Sequence, residues 1–246
     1  MLPTLLVPRD SITATAVVVG DPDRAHAASE LLEDPVQVGS NREYTTFVGR
    51  RDGVAITIAS HGVGAAGANV CFAELLQGGV RTFVRAGTCG AISEGLRGGD
   101  LIVASAAVRE DGVSDHWIPA CYPAVADRRL TGILMDLVES SGAEAREGLV
   151  VTEANFYPGP EPPRWQRYRG LGPLAVEMEM SSLFVMCSLH GARAGGILTV
   201  DGNLIETRRP DMSDYDPHRA EVRAGIGRML EIAVEAAARA SGPGSG

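Results

Sequence analysis

The chain has 246 residues, of which 45% are hydrophobic and 22% charged, with a formal net charge of −9. This is a globular balance, long enough to bury a substantial core, and the acidic surplus argues against a nucleic-acid partner, whose phosphates favour a basic face. No uninterrupted apolar run approaches the ~18 residues of a membrane span, and MLPTLLVPRD lacks the basic region of a signal peptide, so a cytoplasmic chain with no membrane partner is expected.

In chain order, TAVVVG at 15–20 predicts a buried strand and DRAHAASELL at 23–32 a helix. NREY at 41–44 reads as an edge segment. VAITIAS at 54–60 is a strand, and ANVCFAELLQGG at 68–79 a helix with a glycine stop. RTFVRAG at 81–87 and DLIVASAAV at 100–108 are further strands. RLTGILMDLVESSG at 129–142 is a helix, and REGLVVTEA at 146–154 returns as a strand. The Pro-, Gly- and Arg-rich stretch at 159–173 is a surface loop or lid. SSLFVMCSLHG at 181–191 is a helix, AGGILTVDGN at 194–203 a strand, and 218–240 a long closing helix. Strands alternating with helices predict one α/β domain over residues 1–246, with a mostly parallel, mixed central sheet flanked by helices. Residues 241–246 (SGPGSG) read as a flexible tail.

Several chemistries fit poorly. The four cysteines (Cys71, Cys89, Cys121, Cys187) form no CxxC pair or Cys/His metal spacing, and read as reduced thiols. No G-x-S-x-G elbow or histidine triad supports serine hydrolysis, and His61 reads as a hydrogen-bonded residue at a strand end. Gly62, Gly64 and Gly67 have the G-x-G-x-x-G spacing of a dinucleotide loop. That loop requires an acid at the end of the next strand to hold a ribose, and Arg85 and AGTCGA stand there instead. Tight strand-to-helix packing is the simpler reading.

Strand ends rich in glycine and polar residues gather the remaining signals: GDPDR (20–24), SHGVG (60–64), RAGTCG (85–90) and VDGN (200–203). In an open parallel sheet, ligands bind where strands end. Arg24, Arg85 and Arg42 beside glycine turns are suited to an anion, because guanidinium forks and exposed backbone N–H groups act together at short range. Arg85 also interrupts the apolar run TFV, an awkward place for a solvating charge. AVEMEM (175–180) sets Glu177 and Glu179 just ahead of an apolar run, where ionised carboxylates need partners.

Taken in order, GDPDR, NREYTT, SHGVGAAGANV, VRTFVRAGTCGAI, AAVREDGVSDHW, YPAVAD, FYPG, VEMEMSSL and ILTVDGN resemble the nucleoside phosphorylase family, which holds uridine phosphorylase and the hexameric purine nucleoside phosphorylases. The resemblance covers most of the chain and is strongest to the parasite-type purine enzymes, which share SHGVG, AAVRED and VDG. It implies a pentosyltransferase that turns nucleoside plus phosphate into free base plus ribose 1-phosphate, in nucleoside catabolism or purine salvage, with no cofactor or metal beyond the phosphate co-substrate. Gly20, Arg24, Arg85 and Thr88 match the family's phosphate positions. Arg42 matches an arginine given by a neighbouring subunit, which implies a dimer as the minimal active unit, assembled further into a trimer of dimers. Met178 and Glu179 match the ribose site, Glu179 accepting from the 2′- and 3′-hydroxyls. Val63, Phe156 and Val176 match the base pocket. Asp201 and Arg85 match the catalytic pair, Asp201 protonating or hydrogen-bonding purine N7. Glu177 reads as a structural acceptor.

Departures from the pattern concern the substrate. Thr4 stands where the family has a histidine for the neighbour's ribose 5′-hydroxyl, and Thr207 where purine relatives carry a tryptophan, so a 5′-modified or unusual nucleoside fits the sequence. FYPG continues with PEPPR, placing Pro160 and Pro162 where uridine phosphorylases read uracil with a Gln and an Arg, and proline offers no donor; only Arg164 lies close by. Asp214 stands about where the adenosine-accepting branch has an arginine. Inosine and guanosine are therefore expected ahead of uridine and adenosine. The alternatives are a uridine phosphorylase, a nucleoside hydrolase or a nucleoside-binding protein without turnover.

Overall fold

A computed structural model describes residues 1–157, 159–206 and 215–241. Among these residues the strands are β1 (Thr15–Val19), β2 (Glu33–Asn41), β3 (Tyr44–Arg51), β4 (Val54–Ser60), β5 (Thr82–Ala91), β6 (Leu101–Glu110), β7 (Ala124–Val125), β8 (Ala145–Glu153), β9 (Ala175–Glu177) and β10 (Arg193–Asn203). The α-helices are α1 (Pro22–Ser29), α2 (Ala65–Gly78), α3 (Arg128–Ser140), α4 (Met180–Leu189) and α5 (Ala220–Ala240).

All ten strands belong to one mixed sheet flanked by helices, the α/β architecture expected from the alternation. Its centre is the parallel run β4-β1-β5-β10. From β10 the sheet continues antiparallel to β6, then parallel to β8 and β9, and β9 pairs antiparallel with the end of β5. The five strands β5, β10, β6, β8 and β9 thus close into a ring. β7 adds to β6. At the other edge, β3 and β2 extend from β4 as an antiparallel hairpin.

This hairpin is fuller than the edge segment expected at 41–44. β2 is largely exposed and shows no clean apolar alternation, which hid it. Arg42, in its turn, has φ +55°. β9 and β7 are too short, at 3 and 2 residues, for periodicity to register. The segment at 159–173 carries only a short 3-10 turn, Arg164–Tyr168. Thr207, Asp214 and residues 242–246 of the expected tail lie outside the described residues. Ser241, where that tail was expected to begin, donates to the Ala237 carbonyl at 3.1 Å.

Local chemistry explains the main boundaries. Asp21 caps α1 by accepting from the Asp23 N–H at 2.8 Å, with Pro22 at the first helical position. Asp127 caps α3 through the Leu130 N–H at 2.9 Å. Gly79, at φ +108°, ends α2 in the left-handed conformation. Strand alternation sends Val17, Val19, Val84 and Ala86 to a core shared with α1, α3 and α5, and Ala16, Val18 and Phe83 to a core shared with α2 and α4. α4 is buried over most of its surface, as an all-apolar helix must be.

α5 approaches the sheet through a small residue. A Cβ at Gly225 would lie 2.6 Å from the Gly99 carbonyl oxygen and 2.8 Å from Thr199 Cγ2. Gly225→Ala should therefore lower stability by about 1–3 kcal/mol through overpacking, read as a lower urea midpoint; an unchanged midpoint would refute this tight contact.

Candidate active site

A cavity of about 1160 Å³ opens where the central strands end. Gly20 follows β1, Gly62 and Val63 follow β4, and Arg85, Thr88 and Gly90 belong to β5. Val176 and Glu177 lie on β9, Met178 and Glu179 precede α4, Asp201 is on β10, and Phe156 follows β8. Of the expected site residues, Gly20, Arg24, Val63, Arg85, Thr88, Phe156, Val176, Met178, Glu179 and Asp201 all line this one space. Thr4 and Arg42 do not line it; the Thr4 carbonyl accepts from Nδ2 of Asn41, the residue before Arg42, at 2.8 Å.

The floor is a buried ionic cluster. The Arg85 side chain is 3% exposed and lies between Glu177 and Glu179. Its Nη2 donates to Glu179 Oε2, and its Nη1 is 3.3 Å from Glu177 Oε2. The guanidinium folds back over Gly87, where a Cβ would sit 2.5 Å from Nη1. A side chain at 87 would therefore push the guanidinium away from its two carboxylates.

Glu177 is saturated with donors. Oε1 accepts from Thr152 Oγ1 at 2.5 Å, and Oε2 from the N–H groups of Glu179 and Met180 at 2.8 Å each. It therefore holds the start of α4 and has no role facing the cavity. Burial, with the neighbouring Glu179 charge, pushes its carboxyl above the usual range against the pull of Arg85. Glu179 accepts from the Gly64 N–H at 2.5 Å. That amide belongs to the glycine loop with dinucleotide spacing, so the loop positions a carboxylate.

Polar atoms without partners remain beside this cluster. Among the described residues, Arg24 Nη1, Arg85 Nε and Nη1, and His61 Nε2 are buried without a hydrogen-bond partner. Arg24 and His61 meet near Gly20: a Cβ there would lie 3.7 Å from Arg24 Nη2 and 3.8 Å from His61 Cε1, and the charge of Arg85 acts on both. His61 is fully buried, and burial beside Arg85 holds its pKa well below the usual value, so the ring is neutral. Its Nδ1 hydrogen bonds the Gly62 carbonyl at 2.9 Å, which assigns the proton to Nδ1 and leaves Nε2 an acceptor. Buried guanidinium nitrogens aimed into a cavity suit an oxyanion. Burial also lowers the Arg24 pKa from its ordinary value.

Asp201 lines the same cavity. Burial pushes its carboxyl up to about 6, against hydrogen bonds from Tyr215 and Thr88 and the charge of Arg24. Tyr215 Oη donates to Oδ2 at 2.8 Å. A carboxyl poised near neutrality in a cavity can give a proton. Among the described residues no group of His, Cys, Asp and Glu is arranged to hold a metal ion.

Sequence reading missed several lining residues. Trp165, Gln166 and Arg169 enter the cavity from 159–173, and Tyr215 and Arg219 from the segment before α5. The only available signal was the Gln and Arg content of a stretch read as a lid. Arg164, considered there as a donor to the base, instead pairs with Glu110 at 2.8 Å.

Glu177→Gln would replace one accepting oxygen by an amide donor, set against either Thr152 Oγ1 or the two backbone N–H groups. A loss of about 2 kcal/mol is expected, as for a buried unsatisfied group. Equilibrium urea unfolding checks this, and a loss under about 0.5 kcal/mol would refute the structural role.

Residues 14–239 match the family model of the Phosphorylase superfamily. The chain is 35% identical to uridine phosphorylase of Escherichia coli K12 over 233 residues, covering 87% of this chain and 91% of that one. It is 34% identical to purine nucleoside phosphorylase of Plasmodium falciparum over 245 residues, covering 97% and 96%. The crystal structure of Toxoplasma gondii purine nucleoside phosphorylase in complex with immucillin-H superposes with a TM-score of 0.91 at 32% identity, covering 97% of this chain and 96% of that one. Such agreement over nearly the whole length has one consequence: the chain belongs to the phosphorylase superfamily, as a pentosyltransferase of the nucleoside phosphorylase type.

Proposed function

We propose that the protein carries out phosphorolysis of 6-oxopurine nucleosides. The observation that most supports this is the set of groups gathered in one cavity: Arg24 and Arg85, with guanidinium nitrogens that lack hydrogen-bond partners among the described residues, Glu179 and Met178, and Asp201. Phosphate fits the arginines, with Gly20 leaving room for it. A ribose fits beside Met178 and Glu179, where Glu179 accepts from adjacent hydroxyls and offers negative charge to an oxocarbenium-like transition state. The phosphate oxygen forms the bond to C1′ as the bond to the base breaks. The electron pair leaves with the base, and Asp201 gives its proton to N7. Val63, Val176 and Phe156 offer apolar contact to the base.

Thr4 and Arg42 enter this reading as a pair delivered by a neighbouring subunit. The hydrogen bond from Asn41, next to Arg42 in sequence, to the Thr4 carbonyl supports common delivery. The dimer is then the minimal active unit, assembled as a trimer of dimers. Salvage of purines in the cytoplasm is the matching role. Co-expressing Arg42→Ala with Arg85→Ala subunits should give heteromers more active than either parent, because one intact site is rebuilt across the interface; activity no higher than the parents' would reject delivery in trans.

One observation favours uridine as a second reading. Gln166 and Arg169 line the cavity, so a Gln and an Arg are present although Pro160 and Pro162 stand where the sequence pattern expects them. An amide plus a guanidinium matches the C=O and N–H edge of uracil as well as that of a 6-oxopurine. The acid at 201 favours the purine, since only a purine offers N7.

Comparing kcat/KM for inosine, uridine and adenosine in phosphate decides between them. Inosine should be best; uridine as the best of the three would overturn the base assignment. Free ribose formed at equal rate without phosphate would overturn phosphorolysis in favour of hydrolysis, and tight inosine binding with no base release at any phosphate concentration would identify a binding protein. Asp201→Asn should lower inosine turnover by about 10²- to 10⁴-fold, with little effect on 7-methylguanosine, whose base leaves without protonation. The protonated form of Asp201 is the active one, so wild-type kcat/KM should fall as pH rises through about 6, and this limb should be absent in the variant.

A further inference from the structure

We propose that Tyr215 is a positioning residue for the acid: its hydroxyl holds one oxygen of Asp201 so that the other faces the base with the transferable proton. The inference rests on the reading of Asp201 given above and names the group that orients it.

The segment before α5 is fastened to the end of β10 at a single residue, through both its side chain and its main chain. Tyr215 Oη donates to Asp201 Oδ2 at 2.8 Å, and Arg219 Nη2 donates to the Asp201 carbonyl oxygen at 2.8 Å. Arg219 Nε also donates to the Asp216 carbonyl at 3.2 Å, tying the segment to itself. The Tyr215 ring meets Phe156 edge-on, with centroids 5.9 Å apart. Both aromatics line the cavity. Tyr215 thus touches the acid with its hydroxyl and the wall beside it with its ring.

A free carboxyl can present either oxygen, and its proton can sit on either. Tyrosine donation makes Oδ2 an acceptor, so the proton of the neutral acid resides on Oδ1. When the Oδ1–H bond breaks and N7–H forms, Asp201 becomes an anion, and a hydrogen bond to an anion is stronger than one to a neutral acid. The tyrosine therefore favours the transition state, where charge develops, over the ground state. Burial and the Asp201 charge raise the Tyr215 pKa above its ordinary value, so the hydroxyl keeps its own proton. The other groups facing Asp201 are Arg24 from α1 and Thr88 and Cys89 from β5. Arg24 and Thr88 favour the anion, as Tyr215 does. Cys89 stays a neutral thiol, burial holding its pKa well above the usual value.

Tyr215→Phe in the full chain, assayed with inosine and phosphate from about pH 5 to about pH 9, tests this. The variant keeps the ring contact with Phe156 and loses only the donor. kcat should fall by roughly 10-fold with the phosphate KM unchanged. The descending limb should move to higher pH, because the acid loses a group that favours its ionised form. A wild-type kcat with the limb in place overturns the inference. So does a loss seen only in Tyr215→Ala, which would assign the residue to packing. Asp201→Asn, run alongside, separates the two readings: full turnover in that variant overturns the role of Asp201 itself, whereas its inactivity beside an unaffected Tyr215→Phe overturns Tyr215 alone.

Discussion

A positive charge buried within a central strand governs the architecture of the site. Arg85 sits in the middle of β5, which pairs with β1, β10 and β9, and its side chain is almost without solvent. A guanidinium in that position requires negative partners, and leaving one unpaired would cost several kcal/mol. Glu177 and Glu179 supply them from the short β9 and the turn that follows. They need anchoring in turn. Thr152 of β8 and the first N–H groups at α4 hold Glu177, and the Gly64 amide holds Glu179. Five elements of the fold are thereby tied to one side chain.

The same arrangement leaves the arginine incompletely satisfied, and this makes the cluster useful. With Glu177 saturated by donors and Glu179 held by Gly64, Arg85 Nε and Nη1 still lack hydrogen-bond partners among the described residues. A structure selected for stability alone would exchange such a cluster for apolar side chains of similar volume at little cost. Its retention beside Arg24 and a neutral His61 is understandable if an oxyanion completes it. Glu177 serves structure and Glu179 faces the cavity, although they are two residues apart. β9 ends at Glu177 and Glu179 lies in the turn before α4, so strand geometry, which would put residues two apart on one face, does not bind them, and each carboxylate takes its own donors.

The sheet and the strand-end residues were legible because their signals are local. TAVVVG, VAITIAS and the run around LIVASAAV are buried strands whose apolar character leaves little choice, and the glycine-polar ends that follow the first two line one cavity. The hairpin of β2 and β3 was not legible: β2 faces solvent, so no hydrophobic pattern marks it. β9 was not legible either, because three residues carry no period. Arg85 was visible as a charge inside an apolar run, but its pairing with two glutamates 92 and 94 residues away in sequence is a product of the tertiary fold. Tyr215 gave no signal and Gln166 only that of an amide in a stretch read as a lid, since neither lies in an α-helix or a strand, whose period would fix which way a side chain turns.

This contrast has a chemical counterpart. The groups assigned to phosphate and sugar come from strand ends and from the turn before α4, backbone that the sheet holds rigidly. Gln166, Arg169 and Tyr215 come from a 3-10 turn and an irregular segment. Phosphate and ribose are common to every nucleoside phosphorolysis, whereas the base differs. A scaffold that fixes the shared part on the sheet and leaves the variable part to connecting segments can change its base preference without disturbing the buried charges that hold it together. Similar identity to a uridine phosphorylase and to a purine nucleoside phosphorylase is what such a division of labour produces, because overall identity is dominated by the shared scaffold and a few loop residues decide the base.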